Sequence, residues 1–348
     1  MDTFNLNFRH VFQVFDAGLL GENVIPTVRD AHERLGVSSF IPCRAVVHAA
    51  PVKCPHLAAS FTNKPSSSPT LNLHHVRLVN RDTEKEPYTC ENTARTHFEF
   101  LFDPVVVTTV DFESKSQVKE IHESGEKAEV EFQAKVGGNL DGFLLWFDLI
   151  LDSDEPEIRL STAPGGYENC CWDQAFYPTL KHESAFDQDT IKATFSPTKD
   201  HIALLTHEIV ERGEQKDKNE ANKLELKMPR HVISELNDEK ITQIYSSIAA
   251  DIVRENESGI DVLDYSSTAA IALGILKLSR TSELTLLIKA DEEKSCEMPE
   301  VGPRVNMVSE LAEINGINQV LPLSHFFLFP FGEKSLICQE GRSLTPCW

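Results

Sequence analysis

The strongest constraint on the fold is a series of short β-rich runs between Ile41 and Arg212. Six of these runs read AVVHA, HVRLV, HFEFLF, VVVTTVDF, AEVEFQAKV and FLLWFDLIL, and clusters of Pro, Gly, Ser and Asn separate them. β-Branched and aromatic residues favour extended strands, and such clusters favour the turns between strands. Short strands at regular spacing are typical of a barrel or a sandwich, so residues 41–212 are predicted to form an all-β domain.

A glycine-containing turn and an amphipathic helix precede this β-rich region. The turn carries Gly18, Gly21 and Glu22, and the residues after it keep apolar side chains at helical spacing: Val24, Ile25, Val28, Ala31 and Leu35. Glu22 is therefore predicted to lie at a helix start, where a carboxylate is favoured by the helix dipole and can face a cationic ligand such as a guanidinium. The alternative is an ordinary acidic first turn without a ligand.

The region after the β-rich runs begins with a charged segment. The run ERGEQKDKNEANK at Glu211–Lys223 has almost no apolar residue, which is typical of a linker, and we place this linker at residues 213–228. One or two helices are predicted next, with Asn237 or Asp238 as a cap.

Residues Ile260–Leu278 have the outline of a nucleotide-binding turn between a strand and a helix, without its glycines. A second strand that ends at Asp291 and a helix at Val305–Ile317 complete the pattern of a doubly wound α/β module. Between Asp264 and Ile271 the chain reads YSSTAA, so side chains stand where such a turn uses glycine for close approach to the ligand. The module is therefore predicted to be structural rather than to bind a cofactor.

Charge and cysteine content limit the possible partners and compartments. The net charge is −21, from 54 acidic and 33 basic residues, which argues against nucleic acid and anionic membranes and favours basic partners. The chain has no signal peptide and no apolar run that could span a bilayer. Its eight cysteines contain no CxxC pair, so they are predicted to be reduced thiols in a cytoplasmic or nuclear protein, and no metal site is predicted.

Six motifs, in the same order along the chain, resemble motifs of the protein arginine methyltransferases. They are DAGLLGEN (16–23), IPCRAVVHA (41–49), EPYTCE (86–91), TVDF (109–112), WFDLILD (146–152) and CCWDQAFYP (170–178). The first resembles the loop that binds the substrate arginine in that family, and the second resembles its first barrel strand. The last resembles a loop in which most members carry Thr-His-Trp.

The resemblance implies a mixed α and β fold, with a methyltransferase-type β-barrel domain followed by a degenerate doubly wound α/β (Rossmann-like) module. It divides the chain into a remnant of the catalytic module (1–40), the barrel (41–212), the charged linker (213–228) and the degenerate second module (229–348). The family carries a module that binds S-adenosylmethionine before the loop. Because residues 1–12 are too few to form it, this chain is expected to lack that module.

The resemblance also implies which residues form the site. In the family two glutamates nine residues apart hold the substrate guanidinium, and alignment puts the second on Glu22 and the first on Gln13. A glutamine keeps an acceptor oxygen but has no charge, so the clamp is half complete. Cys171 replaces the family's histidine and Trp172 keeps its tryptophan, which makes both of them implied substrate-binding residues. The alternative for Trp172 is a core tryptophan on a β-hairpin.

Two functions follow from this interpretation. As a member of the family, the protein would transfer a methyl group from S-adenosylmethionine to the guanidinium of a basic or arginine-rich protein substrate, although this chain alone is expected to bind no cofactor and to be inactive. As a pseudo-methyltransferase, it would bind basic proteins through an acidic barrel surface. Two-module family members pack the modules against each other, so a chain without the first is expected to expose apolar surface and to self-associate.

Overall fold

The computed structural model describes residues 9–63, 71, 73, 76–80, 86–152, 158–165, 171–210, 224–256, 261–264, 270–278, 283–286, 288–289, 311–313, 315–317, 328–329, 338–339 and 342–343. Helices and strands both occur along the chain, so the fold is mixed α and β, as predicted. The chain divides into two compact units, one formed by Met1–Ala58 with Asp82–Glu220 and the other by Ala59–Arg81 with Ala221–Trp348.

The strands are β1 (Arg9–Val11), β2 (Ser39–Ile41), β3 (Arg44–Lys53), β4 (Val76–Asn80), β5 (Thr89–Glu91), β6 (Glu99–Phe100), β7 (Val105–Asp111), β8 (Ala128–Gln133), β9 (Gly138–Asp152), β10 (Ile158–Ser161), β11 (Gln174–Ala185), β12 (Thr190–Pro197), β13 (Ile202–Val210), β14 (Leu224–Met228), β15 (Asp261–Asp264), β16 (Glu283–Leu286), β17 (Ile288–Lys289), β18 (Leu328–Phe329), β19 (Cys338–Gln339) and β20 (Arg342–Ser343). The helices are α1 (Val24–Asp30), a π-helical turn (Ala31–Leu35), α2 (Pro55–Ala58), α3 (Lys115–Glu123), α4 (Arg230–Asn237), α5 (Glu239–Glu255) and α6 (Ala270–Leu278). Each of the six predicted β-rich runs contains a strand.

The first unit begins with two parallel strands joined by a helix. β1 pairs with β2 in parallel, and α1 with its π-helical continuation lies between them in the chain. The predicted helix forms because Val24, Ile25 and Val28 are fully buried along one face. Its last five residues, Ala31–Leu35, adopt π-helical rather than α-helical turns.

Two antiparallel sheets form the rest of the first unit. The larger has the strand order β5-β11-β9-β3-β6, with β10 beside β9 and β7 beside β3, and the smaller has the order β13-β12-β8. Phe143, Leu145 and Phe147 alternate along β9 and share one hydrophobic core with Phe132 and Phe195 of the smaller sheet. An isolated bridge between Phe102 and Ala134, with backbone hydrogen bonds from Lys135 and Val136 to the Leu101 carbonyl, joins the segments that follow β6 and β8. The described strands do not form one closed sheet, so barrel closure stays a prediction.

The second unit contains helices and parallel strand pairs. β4 pairs with β14, and β15 pairs with β16 across α6. Of the one or two helices predicted here, the structure shows two, α4 and α5. Of the two predicted caps, Asp238 caps α5 by accepting hydrogen bonds from the backbone N–H groups of Lys240 and Ile241. The strand and helix predicted within Ile260–Leu278 are confirmed as β15 and α6.

The observed units differ from the predicted boundaries in two places. Residues 224–228, predicted as the end of the linker, form β14 instead, because Leu226 and Met228 are buried beside β4. Residues 59–81 lie inside the predicted barrel domain of residues 41–212 but group with the second unit, since β4 pairs with β14. The charged run 211–223, the turn 265–269 and most of residues 290–348 lie outside the described residues.

Three further findings concern the described residues alone. Cys43, Cys54, Cys90 and Cys171 are free thiols. No cluster of three or more His, Cys, Asp or Glu side chains in the described part of the chain could hold a metal ion. No described helix combines the length and the apolar character needed to cross a membrane.

Candidate functional site

The candidate site is the loop of residues 12–23, which leaves the carboxyl end of β1 and enters α1. In α/β units with parallel strands, ligands bind beyond the carboxyl ends of the strands, so this loop lies where the architecture favours a site. Gln13 and Glu22 are both exposed on it. Within the part of the chain that the structure describes, neither side chain has a hydrogen-bond or ion-pair partner. Both are therefore available to a ligand.

Buried leucines and two left-handed residues fix the path of the loop. Leu19 and Leu20 are fully buried, and Leu19 has a φ of 73°, a conformation that a leucine adopts only under strong constraint from its surroundings. Asn23 has a φ of 62° and is the N-cap of α1. Glu22 thus precedes the cap and lies outside the first turn of the helix, which corrects the prediction that it sits at the helix start. Because α1 is only seven residues long, we assign no role in ligand binding to its dipole.

Asp16 joins the two ends of the turn that leads to Glu22. Its Oδ1 accepts a hydrogen bond from the backbone N–H of Gly21 at 3.0 Å, and its backbone carbonyl accepts one from the N–H of Leu19 at 3.1 Å. Its Oδ2 accepts a hydrogen bond from the hydroxyl of Tyr88. The Asp16 carboxylate is therefore engaged within the protein.

The two glycines of the loop make room for Tyr88. A Cβ atom on Gly18 would lie 2.5 Å from Cζ of the Tyr88 ring, and one on Gly21 would overlap the Asp16 carboxylate and lie 2.8 Å from the Tyr88 hydroxyl. Side chains cannot be placed at either position without moving Tyr88. Asp16 and Tyr88 were not predicted as site residues, although they lie in the motifs DAGLLGEN and EPYTCE.

A second tyrosine supports the first. The rings of Tyr88 and Tyr177 lie 5.1 Å apart, and burial, followed by the hydrogen bond to Asp16, raises the pKa of Tyr88. Tyr177 is fully buried, which raises its pKa well above the usual value, and its hydroxyl has no hydrogen-bond partner among the described residues. Tyr88 consequently stays protonated and remains a donor to Asp16 at neutral pH.

Trp172 reaches the other end of the loop. Its Nε1–H donates a hydrogen bond to the backbone carbonyl of Phe15 at 2.7 Å, and its ring lies 6.1 Å from that of Phe15 and 6.0 Å from that of Phe147. It is partly buried against the core of the first unit, so the indole both packs with core residues and holds the loop. Cys171, next to it, is exposed.

A buried glutamine holds the segment that carries Trp172. The side-chain oxygen of Gln174 accepts hydrogen bonds from the backbone N–H and the hydroxyl of Thr93, and its Nε2 donates to the carbonyl of Thr162 at 2.8 Å. The Thr162 hydroxyl in turn bonds to both backbone groups of Phe147 in β9. The segment 171–174 is thus fixed to the large sheet, and the loop is fixed to that segment through Trp172.

Residues 85–209 match a family model described as the arginine methyltransferase oligomerization subdomain. The chain is 30% identical over 193 residues to protein arginine N-methyltransferase 9 of Xenopus laevis, a match that covers 49% of this chain and 23% of that protein. It is 27% identical over 167 residues to protein arginine N-methyltransferase 7 of Caenorhabditis briggsae, with 44% and 23% covered. The matches thus span about a quarter of the length of these curated relatives.

A solved structure also resembles the chain. It is a chain of the Trypanosoma brucei PRMT1 enzyme-prozyme heterotetrameric complex with AdoHcy, with 12% identity and a TM-score of 0.44 over 58% of this chain and 66% of that one.

Proposed function

We propose, because this chain belongs to the protein arginine methyltransferase family, that its loop of residues 12–23 binds the guanidinium group of an arginine in a basic protein substrate. The reaction in which this binding takes part is the transfer of a methyl group from S-adenosylmethionine to a guanidinium nitrogen. Glu22 is the residue that contacts the guanidinium, and Gln13, Cys171 and Trp172 complete the substrate side of the site.

The observation that carries the proposal is an unpaired carboxylate on a fixed loop. Glu22 is exposed and has no partner among the described residues, while the loop around it is held by Asp16 and Trp172. A guanidinium donates paired, charge-assisted hydrogen bonds to a carboxylate, and such a bond is worth about 1.5–3 kcal/mol. Because the loop is already fixed, binding does not have to order it, and the entropic cost of binding is smaller.

Gln13 sets the strength of this binding. Its amide oxygen accepts a hydrogen bond from a guanidinium N–H, but it adds no negative charge beside the cation. The arginine is therefore bound through one charged group and one neutral acceptor, which leaves a guanidinium nitrogen exposed for reaction. Trp172 adds an aromatic ring at the Phe15 end of the loop.

The residues at the predicted nucleotide turn do not fit S-adenosylmethionine. When bound, this cofactor supplies the methyl group. β15 and β16 are parallel with α6 between them, so the connection after Asp264 has the position of such a turn. In the sequence that connection is Tyr265–Ala269, with a side chain at every position, which prevents close approach of the backbone to a ligand. We infer that this degenerate doubly wound unit is structural and that the chain alone does not bind the cofactor.

A second candidate function is binding of basic proteins without catalysis, through an acidic surface of the barrel-type domain. The observation that favours it lies on the smaller sheet. There Lys192 pairs with Glu131 at 3.1 Å, and the hydrogen bond to Glu131, together with the charges of Glu208 and Glu129, raises the pKa of Lys192. Three carboxylates thus act on one lysine of this sheet, in keeping with the net charge of −21.

One experiment separates the two functions. An arginine-rich peptide and the same peptide with every arginine changed to lysine are titrated into the protein, and methyl transfer is followed with labelled S-adenosylmethionine. Arginine-selective binding that Glu22→Gln weakens at least tenfold supports the proposed site, and methyl transfer to the arginine peptide would make the chain itself an enzyme. Equal binding of both peptides, unchanged in Glu22→Gln, would leave the second function. Absence of binding to either peptide would overturn both.

Self-association and a cytoplasmic or nuclear location remain proposals. Sedimentation of the purified chain over a range of concentrations tests the first, and a concentration-independent monomer would contradict it. Imaging of the tagged chain in cells tests the second.

A further inference from the structure

Asp16 is the point at which the turn before Glu22 is closed. Its side chain bonds to the N–H of Gly21, and its backbone carbonyl bonds to the N–H of Leu19. Gly21 is bonded directly to Glu22 in the chain, so the hydrogen bond at Gly21 sets the direction in which the backbone enters residue 22. Any change that releases Asp16 therefore releases the orientation of Glu22.

Tyr88 holds Asp16 from outside the loop. It precedes β5, 72 residues further along the chain, and its hydroxyl donates to Asp16 Oδ2. Its ring fills the space left by the missing side chains of Gly18 and Gly21, and it rests on Tyr177. The Tyr88 ring therefore lies close to both the turn and the buried Tyr177 ring, which restricts its position.

Asp16 also places a second negative charge in the turn. Its carboxylate lies beside the backbone of Gly21, one residue from Glu22. The hydroxyl of Tyr88 and the N–H of Gly21 stabilise that charge without neutralising it.

We propose that Asp16 and Tyr88 are positioning residues, which hold Glu22 in the orientation that binds the substrate guanidinium. The proposal rests on the proposed function of this loop and names two residues that act through Glu22. Neither needs to contact the substrate.

A double-mutant cycle tests the proposal on the full chain, with the arginine-rich peptide and its lysine counterpart as probes. Tyr88→Phe keeps the ring and removes the donor to Asp16, and it is expected to weaken binding of the arginine peptide about tenfold, the effect of one lost charge-assisted hydrogen bond. In the Glu22→Gln background the same change is expected to have less than a twofold effect. Asp16→Asn is expected to behave as Tyr88→Phe does.

Tyr177→Phe is the matched control. It removes a hydroxyl from the neighbouring ring, but in the part of the chain that the structure describes that hydroxyl has no hydrogen-bond partner. Binding of the arginine peptide should stay within twofold of the unmodified protein. The proposal is overturned if Tyr88→Phe binds the arginine peptide as tightly as the unmodified protein. It is equally overturned if Tyr88→Phe loses as much affinity in the Glu22→Gln background as alone, because the effect would then not pass through Glu22.

Hydrogen exchange at the Gly21 amide separates failure of this proposal from failure of the proposed function. If the unmodified protein binds no arginine peptide, the function of the loop is refuted. The exchange rate of the Gly21 amide then tests only whether Tyr88 holds the turn. Faster exchange at Gly21 in Tyr88→Phe, with Tyr177→Phe unchanged, supports the role of Tyr88 in holding the turn. An unchanged rate in Tyr88→Phe overturns it.

Discussion

At the scale of single residues, the candidate site depends on which carboxylates are free and which are held. Glu22 is exposed and has no partner in the described part of the chain, whereas Asp16 on the same turn accepts hydrogen bonds from Gly21 and Tyr88. A carboxylate that gives up no internal hydrogen bond on binding keeps more of the interaction energy with its ligand. Glu22 is therefore the group whose charge is available to a guanidinium.

Restoring a charge at position 13 should strengthen binding. Gln13 is exposed, so Gln13→Glu is expected to leave the fold intact and to add a second charge-assisted bond to the guanidinium. That bond is worth about 1.5–3 kcal/mol, which corresponds to roughly a ten- to hundredfold tighter complex with the arginine peptide. Isothermal titration of both proteins with the arginine peptide measures the gain.

Gln133→Glu provides the control for the gain at position 13. Gln133 is exposed on β8, where its side-chain oxygen accepts a hydrogen bond from Thr190 that a carboxylate can also accept. The substitution adds the same charge away from the loop, so the affinity should change less than twofold. A gain of equal size in both variants would show that total charge, rather than position 13, controls binding.

The two neighbouring tyrosines, Tyr88 and Tyr177, should make the fold sensitive to alkaline pH. Tyr88 and Tyr177 have raised pKa values in the folded protein, whereas tyrosine in an unfolded chain titrates near pH 10. Above about pH 10 the unfolded state loses these protons and the folded state keeps them. The contribution of the two tyrosines to the free energy of unfolding is therefore fully present below that pH and falls as the pH rises. Each group contributes a slope of about 1.4 kcal/mol per pH unit.

Chemical denaturation between pH 8 and 11.5 measures this slope, and tyrosinate absorbance reports the ionisation directly. Two of the five tyrosines should ionise only on unfolding. Tyr177→Phe should reduce the slope, because one late-titrating group is gone. An identical slope in that variant would contradict the assignment.

The sequence was sufficient to single out the loop but not the contacts that hold it. Gln13, Glu22 and Trp172 each lie in or beside a motif that can be recognised by eye. The link between Asp16 and Tyr88 joins residues 72 positions apart, and the bond from Trp172 to Phe15 spans 157 positions. Local patterns contain no information on such pairs, and Gly18 and Gly21 predict a sharp turn without naming the residue that packs against it.

At the scale of secondary-structure elements, β9 organises the first unit. It pairs with β3, β10 and β11, and its alternate side chains enter the shared core. It could be predicted from its short, nearly continuous apolar run FLLWFDLIL, which fits a strand buried on both faces. α3 was not predicted, since it interrupts the β-rich region, yet its start was marked by Ser114, whose hydroxyl accepts a hydrogen bond from the N–H of Gln117.

The close approach of β9 and β11 should depend on Gly142. A Cβ atom there would lie 2.5 Å from the carbonyl oxygen of Tyr177 and 2.6 Å from the ring of Phe176. Gly142→Ala would therefore push the strands apart, with a loss of about 1–3 kcal/mol in the free energy of unfolding. Because Tyr177 supports Tyr88, binding of the arginine peptide should weaken as well.

Gly137→Ala is the control for the strand pair, since the nearest atom to its Cβ would be the Ala185 carbonyl oxygen at 3.4 Å, an ordinary contact. Urea unfolding should place this variant within about 1 kcal/mol of the unmodified protein. Equal stability of Gly142→Ala and Gly137→Ala would mean that the strands can separate without cost and that the contact is not tight.

At the scale of the whole molecule, composition and charge were informative and domain boundaries were not. The charged run before β14 predicts a break between two regions of different character, and it lies outside the described residues. The sequence did not predict that residues 59–81 belong with the later region. That grouping depends on the parallel pairing of β4 with β14, which places Val76 beside Leu224 although residues 82–220 of the first unit lie between them in the chain. Net charge, in contrast, can be counted from the sequence without knowledge of the fold, and it affects the binding of every basic ligand.

The net charge of −21 predicts that salt will weaken binding of an arginine-rich peptide without removing the role of Glu22. The general attraction acts over many ångströms, and the Debye length falls from about 10 Å at 0.1 M salt to about 3 Å at 1 M. A contact between Glu22 and a guanidinium is shorter than either length. Raising the salt from 0.05 to 0.5 M should therefore lower the affinity of the unmodified protein for the arginine peptide about tenfold. The ratio of this affinity to that of Glu22→Gln should change by less than about twofold between the two salt concentrations.

Glu129→Gln distinguishes a local contact from the general field. Glu129 is exposed on β8, and its loss should weaken binding slightly at low salt and not at all at 0.5 M, because its charge acts from a distance. Titrations of the three proteins at both salt concentrations give the comparison. If the affinity of Glu22→Gln for the peptide also equalled that of the unmodified protein at high salt, Glu22 would act only as one of 54 acidic residues. That result would contradict the proposal that the loop binds the guanidinium.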